Sequence, residues 1–206
     1  MPLAAYPLKD DLNLYTYVGN DPLDKTDPTG NDTEVQLQSY IIGDAPIQGD
    51  YGHQYVYMRD TDTGETVISR AGPSAPYSGG SVAAVAGSPV RNPAGTGNVT
   101  LKTALTPASK SVDADQGGKT VAGSATTLKE PIGAAAATLQ KFNGAVDSAK
   151  IDYKPRTDNS NAYAGTAYQA LTGKTPPSSG TLPGSNVNLK PQIPTCTSTP
   201  TVCGGK

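Results

Sequence analysis

The sequence has few of the residues that usually build a hydrophobic core or a reactive centre. The 206-residue chain has no tryptophan, one phenylalanine and one histidine, and only 35% of its residues are hydrophobic. Any core must therefore be modest and must use the eleven tyrosines, whose hydroxyls need hydrogen-bond partners or solvent. Glycine (23) and proline (18) form about a fifth of the chain, so we expect a domain with long loops.

The chain also lacks strong charge and long apolar runs. Its net charge is −2 with the signs interspersed, and it has no basic run that could neutralise nucleic-acid phosphates. No stretch approaches the roughly 20 apolar residues of a membrane span, and no basic-then-apolar signal peptide opens the chain. We expect no nucleic-acid partner and no membrane span, and we expect another carrier to take the protein across any membrane it crosses.

Only two cysteines are present, Cys196 and Cys203, in "CTSTPTVC" near the end of the chain. This spacing allows a disulfide in an oxidising compartment, whereas the alternative is two separate thiols on a loose tail. The single histidine lies far from both in sequence, so the residues do not favour a zinc site. We expect neither a metal nor a cofactor.

The first thirty residues differ from the rest. The stretch "DLNLYTYVGNDPLDKTDPTG" (11–30) alternates like a strand, then reaches a turn and two Asp-Pro pairs. It resembles the "NLYxYVxNDPxxxxDPxG" ending of the core of Rhs/YD-repeat proteins. In that family a β-shell encloses a C-terminal toxin, which is freed by aspartyl self-cleavage beside the last DPxG.

This resemblance implies that 1–30 is the remnant of an Rhs core and that 31–206 is a toxin domain with an extended tail over 175–206. Asp27, Pro28 and Gly30 would belong to the cleavage motif. The family's second, upstream aspartate is missing, so we expect that this fragment does not cut itself. The implied partners are the parent Rhs shell and a cognate immunity protein, and the implied destination is the periplasm or cytoplasm of a target bacterium.

Local patterns after residue 30 predict an α+β fold. A β-hairpin is expected over 54–72, where two apolar runs flank the turn sequence "DTDTGE". Helices are expected over 131–149 and from residue 160 to about 171, with Gly173 as a stop. The segment 73–129 reads as long loops with at most one short strand or helix, and the proline-rich tail after 175 as irregular. We therefore expect a small antiparallel sheet packed on two or three helices.

His53 is the only histidine and lies at the expected start of the hairpin's first strand. Histidine is a common general base in enzymes, so His53 can act as one when it is held on a rigid element. Gly52, which precedes it, allows another backbone to approach closely. The alternative is a surface imidazole at a strand edge.

Asn159, Ser160 and Asn161 stand where the last helix begins. A hydroxyl there lies near backbone N–H groups that can receive an oxyanion. The helix dipole contributes only about 0.3–1 kcal/mol and cannot ionise the hydroxyl, so Ser160 needs His53 as its base. The alternative is helix capping, with Asp158 or Ser160 as the N-cap and the two asparagines as ordinary cap and turn residues.

A second resemblance joins these two regions. "DYGHQYVYMRDTDTGETVISRAGPS" (50–74), "DNSNAYAGTAYQALTG" (158–173) and "LPG" (182–184) resemble the circularly permuted papain-like fold, which carries its histidine strand ahead of its nucleophile helix. By position, Ser160 would be the nucleophile and His53 the base. Papain-like enzymes usually carry cysteine at this position. The chain is then a serine enzyme, a form in which serine replaces cysteine, or an inactive relic.

The sequence does not identify a third catalytic group. Asp60 and Ser69 are candidates for orienting His53. Arg70 is a candidate for binding a substrate carboxylate or supporting an oxyanion, although a solvated arginine at the hairpin end is the alternative. Asp113 and Asp115 lie in a glycine-rich stretch where nothing in the sequence orients them, and they are set aside.

The two resemblances predict an antibacterial effector toxin that hydrolyses or transfers an amide, ester or thioester through Ser160 and His53. A nuclease or an ADP-ribosyltransferase is the alternative chemistry, but the former usually needs more than one histidine. The three glutamates are not paired, as the latter would require. A catalytically inactive domain bound by an immunity protein is a further alternative.

Overall fold

A computed structural model describes residues 32–42, 52–75, 88–92, 97–178 and 182–193. The chain divides into two units, Met1–Gly30 and Asn31–Lys206, and all of the described residues lie in the second. The Rhs-like segment and the two cysteines lie outside the described residues, and so does the proposed disulfide.

The second unit contains a six-stranded antiparallel sheet and two α-helices, which confirms the α+β class. The strand order is β4-β3-β2-β1-β5, and β6 pairs with β1 beside β5. The strands are β1 (Thr33–Ile41), β2 (Gly52–Asp60), β3 (Thr66–Pro73), β4 (Leu101–Pro107), β5 (Lys119–Thr120) and β6 (Thr126–Leu128); the helices are α1 (Ile132–Ala149) and α2 (Ser160–Thr172).

The predicted hairpin is formed by β2 and β3, and its turn is held by Asp60. One carboxylate oxygen of Asp60 accepts the backbone N–H groups of Asp62 at 3.0 Å and Thr63 at 2.7 Å. These bonds, led by the one from Thr63, keep the pKa of the Asp60 carboxyl below its usual value. Gly64 adopts a positive φ of 72°, which side-chain-bearing residues rarely adopt, and completes the turn.

Both predicted helices are present. Pro131 precedes the first turn of α1, and the apolar residues of α1 recur at helical spacing and are buried. The second helix, α2, ends at Gly173, whose φ is 71°. It is buried on nearly every side, because its alanines and Gly165 let strands and loops approach closely. Neither of these helices is long and apolar enough to cross a bilayer, and no other described helix is.

The prediction of loops over 73–129 is wrong for the part that the structure describes. Residues 97–128 contain β4, β5 and β6 and two 3-10 turns, Ala108–Lys110 and Ala114–Gln116. The strand β4 pairs with β3 along its whole length, although most of its side chains are exposed or half-buried. Backbone pairing with β3 therefore forms this strand, and apolar composition gives little sign of it.

Strand β1 was not predicted, although it lies between β2 and β5 in the sheet. Its alternating pattern buries Val35 and Leu37. Residues 182–193 lack α-helices and strands, as expected for the irregular tail, and contain one 3-10 turn, Lys190–Gln192; the tail does not merely wrap the surface there, because Leu182, Leu189 and Ile193 are buried. The backbone N–H of Leu189 donates to the Thr166 hydroxyl on α2 at 3.0 Å, so this segment belongs to the core.

A buried polar trio joins β3 to both helices. The Ser69 and Tyr163 hydroxyls lie 2.5 Å apart, Tyr163 donates to the Asn143 side chain, and Asn143 donates back to Ser69 at 3.3 Å. Burial raises the pKa of the Tyr163 hydroxyl, which remains a neutral donor. Because every member has a partner inside the protein, the trio fixes how α1 and α2 pack on the sheet.

Candidate active site

The start of α2 is attached to β2 on both sides of His53. The Asn161 side chain accepts the backbone N–H of Gln54 at 2.8 Å and donates to the carbonyl of Gly52 at 3.1 Å. Strand β3 pairs with β2 only from Val56 onward, so the backbone of residues 52–54 is available to this amide. Since Ser160 directly precedes Asn161, the structure brings the predicted nucleophile and the predicted base into one region.

Asn159 is the N-cap of α2, in place of the expected Asp158 or Ser160. Its side-chain oxygen accepts the N–H groups of Asn161 at 2.9 Å and Ala162 at 3.1 Å. Its side-chain nitrogen donates to the carbonyls of Pro155 at 2.6 Å and Pro183 at 2.9 Å. The amides of Asn159 and Asn161 are thus occupied by structural bonds, and they position the helix start rather than offer donors to an oxyanion.

The "LPG" segment braces the same helix start. The carbonyl of Pro183 accepts from the side chains of both Asn159 and Asn161, each at 2.9 Å. Gly184 has a φ of 79°, and a Cβ there would lie 2.6 Å from the side-chain oxygen of Asn159. A Cβ on Gly52 would overlap the side chain of Leu182. Both glycines are needed for this close packing.

His53 is the second residue of β2 and is buried among aromatic rings. Its ring centroid lies 5.5 Å from that of Tyr40, its register partner on β1, and 6.2 Å from that of Tyr55. Its Nε2 lies 3.5 Å from Oδ2 of Asp113 and makes no hydrogen bond in the described structure. Because Nε2 faces a carboxylate, Nδ1 is the ring nitrogen left for proton exchange.

Asp113 is fully buried and is the carboxylate that faces His53, a contact that sequence reasoning missed. Its Oδ1 accepts from the Tyr40 hydroxyl at 2.9 Å, and its Oδ2 lies 3.1 Å from Nε of Arg70. Burial raises the pKa of the Asp113 carboxyl, but the contacts with His53, Arg70 and Tyr40 outweigh burial and lower that pKa overall. The carboxylate is therefore ionised beside the imidazole at neutral pH.

The two tyrosines beside His53 remain protonated at neutral pH. Burial, the hydrogen bond to Asp113 and its charge raise the pKa of Tyr40. Burial and the Asp113 charge raise the pKa of Tyr55 to about 12. Tyr55 donates to the side chain of Gln38 at 2.9 Å, and Gly118 allows the loop after Asp113 to pass its hydroxyl. The rings of Tyr40 and Tyr55 both pack against the imidazole of His53.

The other candidates for the third group are placed elsewhere. Asp60 is at the far end of β2, where it holds the hairpin turn, and Ser69 belongs to the buried trio. Asp115 is exposed. The local signal that could have favoured Asp113 is Ser111, whose hydroxyl accepts the Asp113 N–H at 3.3 Å and so orders this apparently flexible stretch.

Ser160 is the first residue of α2 and is 7% exposed. Its hydroxyl donates to the Asn161 side chain at 3.5 Å, and no hydrogen bond joins it to His53 within the described residues. The N-cap uses the N–H groups of Asn161 and Ala162, so the N–H of Ser160 is the helix donor nearest to its own hydroxyl. The side-chain nitrogen of Gln54 is buried without a partner among the described residues.

The described residues contain no group of three histidine, cysteine, aspartate or glutamate side chains that could hold a metal ion. Comparisons of the chain with protein-family models, with curated proteins and with solved structures gave no match. The short motifs and the geometry of the site are therefore the indications of what this domain does.

Proposed function

We propose that this domain is an acyl-transfer enzyme, a hydrolase or acyltransferase that acts on an amide or ester bond. Ser160 is the nucleophile, His53 the general base and Asp113 the group that orients the base. The observation that carries the proposal is the contact of the only histidine with a buried, ionised carboxylate, in a strand segment that Asn161 attaches to the helix beginning at Ser160.

The reaction follows from these placements. As the Ser160 oxygen attacks the substrate carbonyl carbon, Nδ1 of His53 takes the hydroxyl proton, and Asp113 stabilises the resulting imidazolium at Nε2. The N–H of Ser160 receives the negative charge that develops on the carbonyl oxygen. His53 then gives its proton to the leaving group, which leaves an ester on Ser160. Water or a second acceptor, deprotonated by His53, attacks that ester, and His53 returns the proton to the Ser160 oxygen as the acyl group is released.

The order of the site along the chain supports a circularly permuted papain-like fold. His53 stands on a strand that comes before the helix bearing Ser160, and Nε2 of the imidazole faces the orienting group. In this assignment serine takes the place that cysteine usually has. The buried Asp113 carboxylate supplies the charge that a hydroxyl nucleophile needs when its base becomes protonated.

The resemblance of 11–30 to an Rhs core end supports a role as an antibacterial effector released from an Rhs shell and blocked by a cognate immunity protein. Three large apolar side chains are exposed in the described structure, those of Ile41, Ile42 and Val112. Ile41 follows Tyr40 in sequence, and Val112 precedes Asp113. Apolar groups so near the site are suited to burial by an inhibitor that covers it.

Expression in a bacterial host tests the proposal. S160A and H53A should each abolish growth inhibition, while S148A, which changes an exposed serine on α1, should leave it intact. Circular dichroism of the purified variants would show that each is folded. If both site variants remain as toxic as the parent chain, the proposed acyl-transfer function is wrong.

A further inference from the structure

Among the described residues, Arg70 is the one cation that contacts the carboxylate of the candidate site and also reaches solvent. It lies on β3, its side chain is 27% exposed, and its Nε is 3.1 Å from Oδ2 of Asp113. The same oxygen lies 3.5 Å from Nε2 of His53. A group bound to this guanidinium would therefore be separated from the catalytic base by a single carboxylate oxygen.

The outer end of the guanidinium is available for a ligand. The ion pair with Asp113 is made through Nε, and in the described part of the chain no acceptor is hydrogen-bonded to the two terminal nitrogens. These nitrogens form a planar fork that matches the two oxygens of a carboxylate. Asp113 holds the inner edge of the group, so the fork is already oriented and little side-chain entropy remains to be lost on binding.

Small residues leave space around this fork. Gly72 lies two residues along β3 on the same face, and a Cβ placed there would be 3.8 Å from a terminal nitrogen of Arg70. The register partner of Arg70 on β4 is Ala104, which is exposed. Neither neighbour carries a charge or a long side chain that would occupy the fork.

The positive charge of the guanidinium favours an anion as the ligand. Asp113 is the only carboxylate that contacts His53 or Arg70 in the described structure. Its Oδ1 accepts from Tyr40, and its Oδ2 faces both Nε of Arg70 and Nε2 of His53. A guanidinium is always protonated, and a carboxylate is the group that matches its paired terminal nitrogens.

We propose that the substrate carries a carboxylate close to the amide or ester bond under attack, and that the terminal nitrogens of Arg70 bind it. This inference rests on the proposed acyl-transfer function and narrows its substrates to acylated amino acids, peptide ends and similar acids. Arg70 then has two contacts, with Asp113 through Nε and with the substrate through its fork.

The single histidine allows binding to be measured without catalysis. In the S160A variant, the ring C–H signals of His53 are followed by NMR during titration with N-acetylalanine and, separately, with its uncharged amide. The acid should give saturable shifts, and the amide should not. R70Q should weaken binding of the acid at least tenfold, whereas R59Q, which changes an exposed arginine on β2, should have no effect.

R70K tests whether the effect of R70Q comes only from a loss of structure. Lysine can keep the ion pair with Asp113 but lacks the planar fork. We expect R70K to fold and to bind the acid at least fivefold more weakly than the S160A parent. Equal shifts with acid and amide, no saturable shift with the acid, or unchanged binding in R70Q would each overturn the carboxylate site. A different outcome would separate the two proposals. If binding of N-acetylalanine depends on Arg70 but the parent chain never forms an acyl ester on Ser160, the carboxylate site stands and the proposed acyl-transfer function is refuted.

Discussion

At the scale of single residues, the candidate site depends on the charge of Asp113. This carboxylate is buried, yet the contacts with His53, Arg70 and Tyr40 keep its pKa below the ordinary value. In the unfolded chain its pKa returns to about 3.9. The unfolded state therefore takes up a proton in acid that the folded state does not. The stabilising contribution is complete above the ordinary pKa and is lost as the pH falls toward the lowered one.

Replacing the Asp113 carboxylate tests the direction of this pH dependence of stability. D113N leaves Arg70 without its buried counter-charge, so it should lower the free energy of unfolding at pH 7 by about 3–5 kcal/mol. The difference between D113N and the parent should shrink as the pH approaches 3. Urea unfolding from pH 3 to 7 measures it, with D62N at the exposed hairpin turn as the control. A difference that grows in acid would contradict the assignment of an ionised Asp113.

Gln54 carries a second prediction at this scale. Its side-chain nitrogen is buried and has no acceptor in the described structure, and such a group costs about 1–3 kcal/mol. Q54M keeps the length of the side chain and removes the polar atoms. The variant should raise the free energy of unfolding by about 1 kcal/mol. Thermal unfolding measures the change, and a lower melting temperature would mean that the amide has a partner in solution.

At the scale of secondary-structure elements, the decisive feature is the attachment of α2 to β2. Asn161 makes four side-chain hydrogen bonds, with Gly52, Gln54, Pro183 and the neighbouring Ser160. N161A should therefore destabilise the fold by about 2–4 kcal/mol and misplace Ser160. N188A removes two exposed side-chain bonds, to Gln169 and from the N–H of Lys190, and should cost only about 1 kcal/mol or less. Chemical denaturation compares the two, and equal losses would show that the attachment contributes little.

Elements that are coded locally were predictable from the sequence. The β2–β3 hairpin has its turn residues and α2 has its glycine stop, so each signal is contained within its own segment. Strand β4 and the loop that carries Asp113 depend on partners distant in sequence. Asp113 faces His53 sixty residues earlier, because the chain returns beside β1 through β5. Neither the composition nor the spacing of residues 97–120 indicates that Asp113 lies beside His53.

The same distinction holds for the asparagines that flank Ser160. Their capping role followed from their residue type, and Asn159 is indeed the N-cap. The attachment of Asn161 to the backbone around His53 required knowledge of which strand α2 packs against. Sequence reasoning thus found the two reactive residues as candidates but not the contacts that position them.

At the scale of the whole molecule, the chain divides after Gly30, where the Rhs-like segment ends. Residues 1–26 contain no second DPxG motif ahead of the one at Asp27, and we predict that a purified chain of this sequence stays intact. Intact mass measured over several days at neutral pH tests this. A new N-terminus near Asn31 would contradict the prediction, while D27A should prevent any such cleavage.

The most direct measurement for the central claim is phosphonylation of the proposed nucleophile. A fluorophosphonate reacts with a serine hydroxyl that a neighbouring base has activated, and peptide mass spectrometry locates the adduct. We predict one adduct, on Ser160, which is lost in H53A and formed at least tenfold more slowly in D113N. An unmodified Ser160 in the folded parent chain, or equal labelling in H53A, would contradict the account.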